Sequence, residues 1–315
     1  DVDVEDGTAT VLINRPEAMN ALNVTVVAQL GEAIDGLNSR EDVHTIVLEG
    51  AGKAFVAGAD VKFFVDKIRS DSFDDIYDFT AHGHKVLNSI ENSSKTTIAM
   101  TTGLALGGGL ELALACDYRI GTDRTQLRFP ETSISIYPGL GGTQRTPRIC
   151  GIEAARYCVL AGNFLDAGSA QALGLLTHLV KASEASDAVR SASSAGKPEE
   201  KYPGRPADPS HPVARFASDF YSDGNMAAIS SGEVPEGFDS DDPNVSRQAK
   251  SLARASPLAV VAAMGLLDKA VATGPDLDAG LQLELEGLEQ MFSVSDALEG
   301  LSALIEGRRP EYTGS

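Results

Sequence analysis

The sequence has no tryptophan, only three cysteines and no long apolar run. Cys116, Cys150 and Cys158 are odd in number and show neither a CxxC pair nor a Cys/His ligand spacing, which disfavours both disulfides and zinc sites. No run of about 20 apolar residues could cross a bilayer, and no segment has the pattern of a signal peptide. These absences predict a protein of a reducing cytoplasm that does not enter a membrane.

Basic residues are also scarce. Lys and Arg number 26 against 45 Asp and Glu, which gives a formal charge of -19 and a pI near 4.6. Such a charge repels nucleic acid, so we expect no nucleic-acid partner. A salt-rich cytoplasm would screen this charge, and that habitat is a hypothesis that the charge favours.

The first half of the chain alternates β-branched runs with amphipathic stretches, the pattern of an α/β fold. Strands are predicted at Ala9–Asn14, Thr45–Glu49, Thr96–Thr101, Tyr118–Gly121 and Leu176–Val180. Helices are predicted at Phe73–Ile90, Leu110–Ala115 and Ile152–Ala161, and around the apolar positions Val26, Val27, Leu30, Ile34 and Leu37.

The composition changes after about residue 182. Seven of the fourteen prolines lie between Lys197 and Pro243, and proline blocks regular helix and sheet. The stretch is either a disordered linker or a partly ordered insertion, and we favour the insertion because 213–221 and 226–229 are apolar enough for short packed helices. Further helices are predicted at 246–273, 276–292 and 295–306. We therefore divide the chain into a core (1–182), an insertion (183–245) and a helical C-terminal subdomain (246–315).

Two glycine-rich turns follow predicted strands. Three glycines, 107–109, open a helix-like run that contains Glu111, and a helix N-terminus of this kind binds a phosphate or a developing oxyanion. The alternative interpretation is simply a tight turn. The second turn, Ala57 to Asp60, follows Gly52-Lys53, but Val47 stands where a Walker A loop requires glycine. Nucleotide hydrolysis is therefore disfavoured, and neither a GxGxxG nor a GxSxG motif is present.

A third element contains Glu131, which follows Pro130 and precedes the glycine-rich stretch Pro138–Arg145. Taken alone, Glu111 is also explained as a first-turn residue favoured by the helix dipole, and Glu131 as a helix-start residue after proline. Gly139 is likewise explained as a turn after Pro138. The order of the four elements makes the combination specific.

The chain resembles the crotonase (enoyl-CoA hydratase) superfamily, which has the same four elements in the same order. They are Ala57–Asp60, Leu106–Glu111, Phe129–Glu131 and Pro138–Arg145. The resemblance is strong over residues 2–180 and moderate over the C-terminal helices. It implies an α/β fold of the ClpP/crotonase type, a spiral of strand-strand-helix units with a helical C-terminal subdomain.

The resemblance also implies a mechanism. The backbone amides of Ala59 and Gly108 would hold the thioester oxygen of an enolate. Glu111 would activate water and Glu131 would protonate the α-carbon of a trans-2-enoyl-CoA, giving a 3-hydroxyacyl-CoA. Gly139 would help to position the water. The pair could also share protons.

The expected ligands follow from the same resemblance. Residues of the second turn and of the helix after it would bind the CoA, with Lys62 as the best-placed cation: Ala57, Gly58, Asp60, Val61 and Lys62. Arg308 and Arg309 would either assist, from a neighbouring subunit, or serve as ordinary C-terminal helix charges. We expect no metal and no cofactor other than the CoA of the substrate. His82 and His84 lie two apart on a helix, which disfavours a metal or catalytic role for them.

Several alternatives remain open. Related enzymes isomerise enoyl-CoA or hydrolyse cyclic oxo-acyl-CoA, but they usually lack one or both glutamates. From another class, the alternatives are an idle subunit of a fatty-acid oxidation complex and an RNA-binding relative, and the net charge argues against the second. The resemblance implies a homotrimer or a dimer of trimers. The roughly fifty-residue insertion resembles the hydratase half of prokaryotic fusions with a 3-hydroxyacyl-CoA dehydrogenase, which makes such a module a possible partner.

Overall fold

The computed structural model describes all residues, 1–315. Ten strands are present: β1 Val2–Glu5, β2 Thr8–Ile13, β3 Thr45–Gly50, β4 Ala54–Ala57, β5 Thr96–Thr101, β6 Leu104–Leu106, β7 Tyr118–Gly121, β8 Gln126–Arg128, β9 Leu165–Asp166 and β10 His178–Leu179. The strands form a six-stranded sheet in the order β1-β2-β3-β5-β7-β10 and a four-stranded sheet in the order β4-β6-β8-β9. Only the β1–β2 and β8–β9 pairs are antiparallel.

The helices of the core are α1 Val24–Asn38, α2 Val61–Arg69, α3 Phe73–Glu91, α4 Gly108–Ala115, α5 Gly142–Cys150, α6 Ile152–Val159 and α7 Ala167–Ala172. From β3 to β8, consecutive strands go to different sheets, so that β3 and β4, β5 and β6, and β7 and β8 each make a pair that a helical segment follows. The predicted spiral of strand-strand-helix units is therefore confirmed, and it brings the ends of β4, β6 and β8 side by side.

The β5 and β7 bounds agree with the predicted ones, and α3 extends one residue beyond its prediction. The strand predicted at Leu176–Val180 is shorter, since only His178 and Leu179 pair with β7. Leu176 instead turns its side chain onto Gly121 within the apolar core.

The C-terminal part contains helices α8 Ala185–Ala195, α9 Pro212–Phe220, α10 Met226–Ser230, α11 Pro243–Leu252, α12 Pro257–Ala272, α13 Leu277–Glu286, α14 Leu288–Ser293 and α15 Ser295–Glu306. The stretch predicted as helical at 246–273 is helical but divides into α11 and α12, which meet at 107°. Pro257 has no N–H to continue α11 and disfavours helical geometry at Ser256, whose hydroxyl caps α12 instead. The stretch predicted at 276–292 likewise divides at Gly287.

The predicted short helices at 213–221 and 226–229 are confirmed as α9 and α10. α9 packs on α6 through aromatic side chains, with the ring centroids of Phe216 and Tyr157 6.1 Å apart. Earlier in this segment, α8 lies on β5 and β7, where Ala192 joins a small apolar cluster with Ile98 and Ile120. The segment is therefore packed on the core at both ends.

No single helix is long and apolar enough to span a membrane, although the bent α11–α12 pair passes the same test of length and composition. The three cysteines are buried free thiols.

Candidate active site

A cavity of about 320 Å³ lies where the ends of β4 and β6, the start of α4 and the C-terminal helix α15 meet. Eight of the residues predicted for the site line it: Ala57, Gly58, Ala59, Val61, Gly108, Glu111, Glu131 and Gly139. A larger cavity of about 660 Å³ beside Asp117 and Lys201 contains none of them. The chemistry predicted from the sequence therefore converges on the smaller cavity.

The backbone amides of Ala59 and Gly108 both lie at this cavity. Leu22 binds the chain on either side of Ala59, donating its N–H to Gly58 O and accepting from Asp60 N, so the Ala59 N–H points away from it and has no acceptor in the protein. Gly108 is the first residue of α4, where N–H groups have no intrahelical acceptor. A β-carbon placed on Gly108 would lie 3.8 Å from Ala59 N. The two amides can thus converge on one oxygen atom.

Glu111 lies in the first turn of α4, a helix that is buried on every side. Its Oε1 accepts two hydrogen bonds of 2.7 Å, from the backbone N–H groups of Leu140 and Gly142. Burial, followed by the negative charges of Glu131 and Glu284, raises its pKa well above the ordinary value, and the two amides oppose that rise. Oε2 of this carboxyl makes no hydrogen bond within the protein, which leaves it to a ligand.

Glu131 opens a 3-10 turn, Glu131–Ile134, directly after Pro130. It is buried, its Oε2 has no hydrogen-bond partner, and burial raises its pKa to about 8. A side chain at Gly107 would collide with Glu131 Oε1, so glycine there makes room for the carboxyl, and its φ of 48° also favours glycine. An orphan buried carboxyl oxygen in a cavity is typical of a functional group.

The rest of the cavity wall is largely apolar. Phe64, Phe79, Ile134, Ile136 and Leu301 line it. Phe64 is itself supported by Phe292, with ring centroids 5.2 Å apart in a stacked arrangement. An acyl chain beside the two carboxyls would therefore lie against hydrocarbon.

Two of the predicted CoA-binding residues lie outside the cavity lining. The Asp60 carboxylate pairs with Arg15 at 3.0 Å, and Lys62 is exposed on α2. Arg308 is also engaged, since its guanidinium contacts both Glu299 and Glu306. Arg309 lines a separate cavity of about 490 Å³.

The sequence did not point to two buried side chains beneath the site. His84, which we expected to have no catalytic or metal role, donates through Nε2 to Gly139 O at 2.7 Å. Glu284, on α13, binds the turn that follows Gly139. The available signal was spacing, because Leu281 and Glu284 lie three residues apart on α13 and place a carboxylate beside a buried leucine.

Known proteins resemble this chain over nearly its whole length. The family model described as enoyl-CoA hydratase/isomerase matches residues 8–314. A crotonyl-CoA hydratase from Syntrophomonas wolfei is 29% identical over 310 residues, which cover 98% of this chain and 95% of that protein. A mitochondrial methylglutaconyl-CoA hydratase from Mus musculus is 31% identical over 98% of this chain and 80% of its own length.

Solved structures show the same fold. An enoyl-CoA hydratase from Rhodobacter sphaeroides superimposes with a TM-score of 0.83 at 23% identity, covering 100% of this chain and 92% of that one. A carnitinyl-CoA dehydratase from Mycobacterium thermoresistibile gives 0.81 at 23% identity, over 99% and 90% of the two chains. At these identities the likeness is one of architecture.

Proposed function

Because the chain belongs to the enoyl-CoA hydratase/isomerase family of the crotonase superfamily, we propose that it adds water reversibly to a trans-2-enoyl-CoA, giving a 3-hydroxyacyl-CoA. The observation that carries the proposal is the presence of two buried carboxyls, Glu111 and Glu131, in the cavity where the Ala59 and Gly108 amides converge. Hydration needs both a base for water and an acid for carbon.

The thioester carbonyl oxygen lies between the N–H groups of Ala59 and Gly108. As water attacks the β-carbon, negative charge moves onto this oxygen, and the two preorganised amides stabilise it. Removal of one such donor typically costs about a hundredfold to a thousandfold in rate.

The two carboxyls differ in their hydrogen bonds, which supports different roles. Burial raises the pKa of both carboxyls, but only Glu111 has two N–H donors on its carboxylate, so we assign the ionised form of the pair to Glu111, whose Oε2 accepts a proton from the attacking water. Glu131 then holds the proton of the pair, in keeping with the rise of its pKa to about 8 by burial. Its unpartnered Oε2 delivers that proton to the α-carbon. After one turnover Glu111 is protonated and Glu131 is ionised, and a proton exchange through solvent restores the pair.

We extend the proposal to the ligands and the assembly. The reaction requires no metal and no cofactor beyond the CoA that the substrate carries, and the protein acts in the cytoplasm as a homotrimer or a dimer of trimers. The apolar wall of Phe64, Phe79 and Leu301 accepts the acyl chain.

The test is loss of the conjugated enoyl-thioester absorbance on mixing the protein with crotonyl-CoA, at low and at molar salt. The expected product is 3-hydroxybutyryl-CoA, and Glu111→Gln and Glu131→Gln should each lose about a hundredfold or more of the rate. Glu49→Gln is the matched control, since Glu49 is a half-buried glutamate on β3 outside the cavity. A folded wild-type protein that leaves short, long and cyclic enoyl-CoA substrates unchanged at both salts would refute the proposal.

A further inference from the structure

The turn of residues 139–143, here called the amide turn, lies between two buried carboxylates. The N–H groups of Leu140 and Gly142 donate to Glu111, while the N–H of Gly141 between them donates to Glu284 Oε2, each at 2.7 Å. Successive amides therefore point alternately to the candidate base on α4 and to a carboxylate on α13. The hydrogen bond from Gly141 to Glu284 therefore helps to fix the positions of the Leu140 and Gly142 amides on either side of it.

Glu284 makes more contacts with the amide turn than this one. Thr143 Oγ1 donates to Glu284 Oε1 at 2.5 Å. His84 Nε2 lies 3.2 Å from Glu284 Oε2 and donates to Gly139 O, so it contacts both sides of the junction. The Tyr137 hydroxyl donates to the backbone oxygen of Glu284 at 2.6 Å. The side chains of His84, at Gly139, and of Thr143 thus connect the two ends of the amide turn to Glu284 on α13.

A carboxylate in this position is costly to the fold. Glu284 has no exposed surface, and an apolar side chain at the same position would avoid the desolvation of a charge. The two hydrogen bonds that compensate this desolvation both come from the amide turn, through Gly141 N–H and Thr143 Oγ1. In this position the carboxylate fixes the geometry of the amide turn, which lines the cavity through Gly139 and Leu140.

We infer that Glu284 is a positioning residue for the hydration reaction: it holds the amide turn so that both Leu140 and Gly142 donate to Glu111. The inference rests on the proposed function. Through this carboxylate the C-terminal helices control the orientation of the base, although Glu284 itself does not line the cavity.

The charge of Glu284 acts on Glu111 as well. After burial and the charge of Glu131, it is the next contribution that raises the pKa of Glu111. The other ionisable groups near Glu284 are His84, Arg145 and the Tyr137 hydroxyl. Replacing Glu284 by glutamine removes one negative charge, which lowers the pKa of Glu111, whereas weaker Leu140 and Gly142 donors would raise it. The charge of Glu284 contributes more than either amide, so the ionised base should extend to lower pH.

The experiment compares Glu284→Gln with Glu286→Gln, which makes the same change at an exposed position on the same helix. Glu284→Gln should lower kcat by about tenfold to a hundredfold, because a misplaced catalytic group loses rate of this order. KM for crotonyl-CoA should change by no more than about threefold, since substrate contacts remain. The acid limb of the kcat/KM pH profile should move to lower pH. Glu286→Gln should match the wild type in all three.

A second variant separates geometry from charge. Thr143→Val removes one donor from Glu284 but keeps its charge, so kcat should fall by about fivefold with the acid limb unmoved. Binding of acetyl-CoA, measured by calorimetry, reports whether each variant retains a folded site.

The outcomes are distinguishable. Wild-type kcat and an unmoved acid limb in a folded Glu284→Gln protein would overturn the inference while leaving the hydratase proposal intact. A fall in acetyl-CoA binding and in thermal stability that accounts for the whole rate loss, with no pH shift, would also overturn it. An inactive wild type would instead refute the proposed function.

Discussion

Gly142 provides a sharp test of the geometry around Glu111, because two opposite effects compete at this position. Gly142 begins α5, and replacing a helical glycine by alanine ordinarily stabilises a protein by up to about 1 kcal/mol. A β-carbon here would, however, lie 2.7 Å from Pro138 Cβ, 2.8 Å from Glu111 Oε1 and 3.0 Å from Phe129 Cε1. All three neighbours are buried, so none can move freely.

Overpacking of this kind costs about 1–3 kcal/mol, which exceeds the helix propensity gain. Gly142→Ala should therefore lower the free energy of unfolding by about 1–2 kcal/mol once the two effects are combined. It should also lower kcat by about a hundredfold, since the Glu111 carboxylate must move although the amide at 142 is kept.

The matched control is Gly265→Ala in the middle of α12, where a β-carbon would meet nothing within 4 Å. This variant should gain up to about 1 kcal/mol and keep its activity. Urea unfolding and crotonyl-CoA hydration measure both quantities. A Gly142→Ala protein as stable and as active as Gly265→Ala would refute the packing described around Glu111.

Three further predictions concern buried groups. Burial raises the folded-state pKa of Glu131 to about 8 from an ordinary 4.5, so hydration should decline above pH of about 8 as the acid loses its proton. Because the folded-state pKa is the higher one, the folded state loses stability as the pH rises between these two values. Glu131→Gln should therefore unfold at a higher temperature than the wild type in alkaline buffer. Equal melting temperatures there would contradict the raised pKa. Arg145 is fully buried and pairs with Glu91 at 2.7 Å, so Arg145→Met should lower the free energy of unfolding in urea by about 3–5 kcal/mol. Arg40→Met, at an exposed position, should change it very little. Similar values for both variants would contradict the buried pair. Burial raises the pKa of Cys116 to about 12 and all three cysteines are buried, so a thiol reagent should label the protein only after denaturation, and labelling of the folded protein would contradict this.

The parts of the site that the sequence predicted are the short motifs, whose residues are neighbours in the chain. The small-residue turns before Asp60 and Glu111 need glycine or alanine wherever a backbone amide must face a ligand, and such positions are readable one motif at a time. Their convergence on one cavity follows from the parallel pairing of β4 with β6, which the resemblance supplied and the residues alone did not.

The parts that the sequence did not predict depend on contacts between distant segments. Gly141 and Glu284 lie 143 residues apart, and nothing local to either indicates that one binds the other. The helix break before Pro257 could have been predicted from the proline. The alanine- and leucine-rich residues on both sides of it favoured helix throughout and hid the break. The division of the chain at residues 183 and 246 stays a prediction.

The central claim is that Glu111 and Glu131 together add water across the double bond. The most direct test is the reaction of crotonyl-CoA in water labelled with a heavy oxygen isotope, followed by mass spectrometry of the product. The account predicts one labelled oxygen on the β-carbon of 3-hydroxybutyryl-CoA with wild-type protein, and almost none with either glutamine variant. Label appearing only in a released free acid, or no label in a converted product, would contradict hydration.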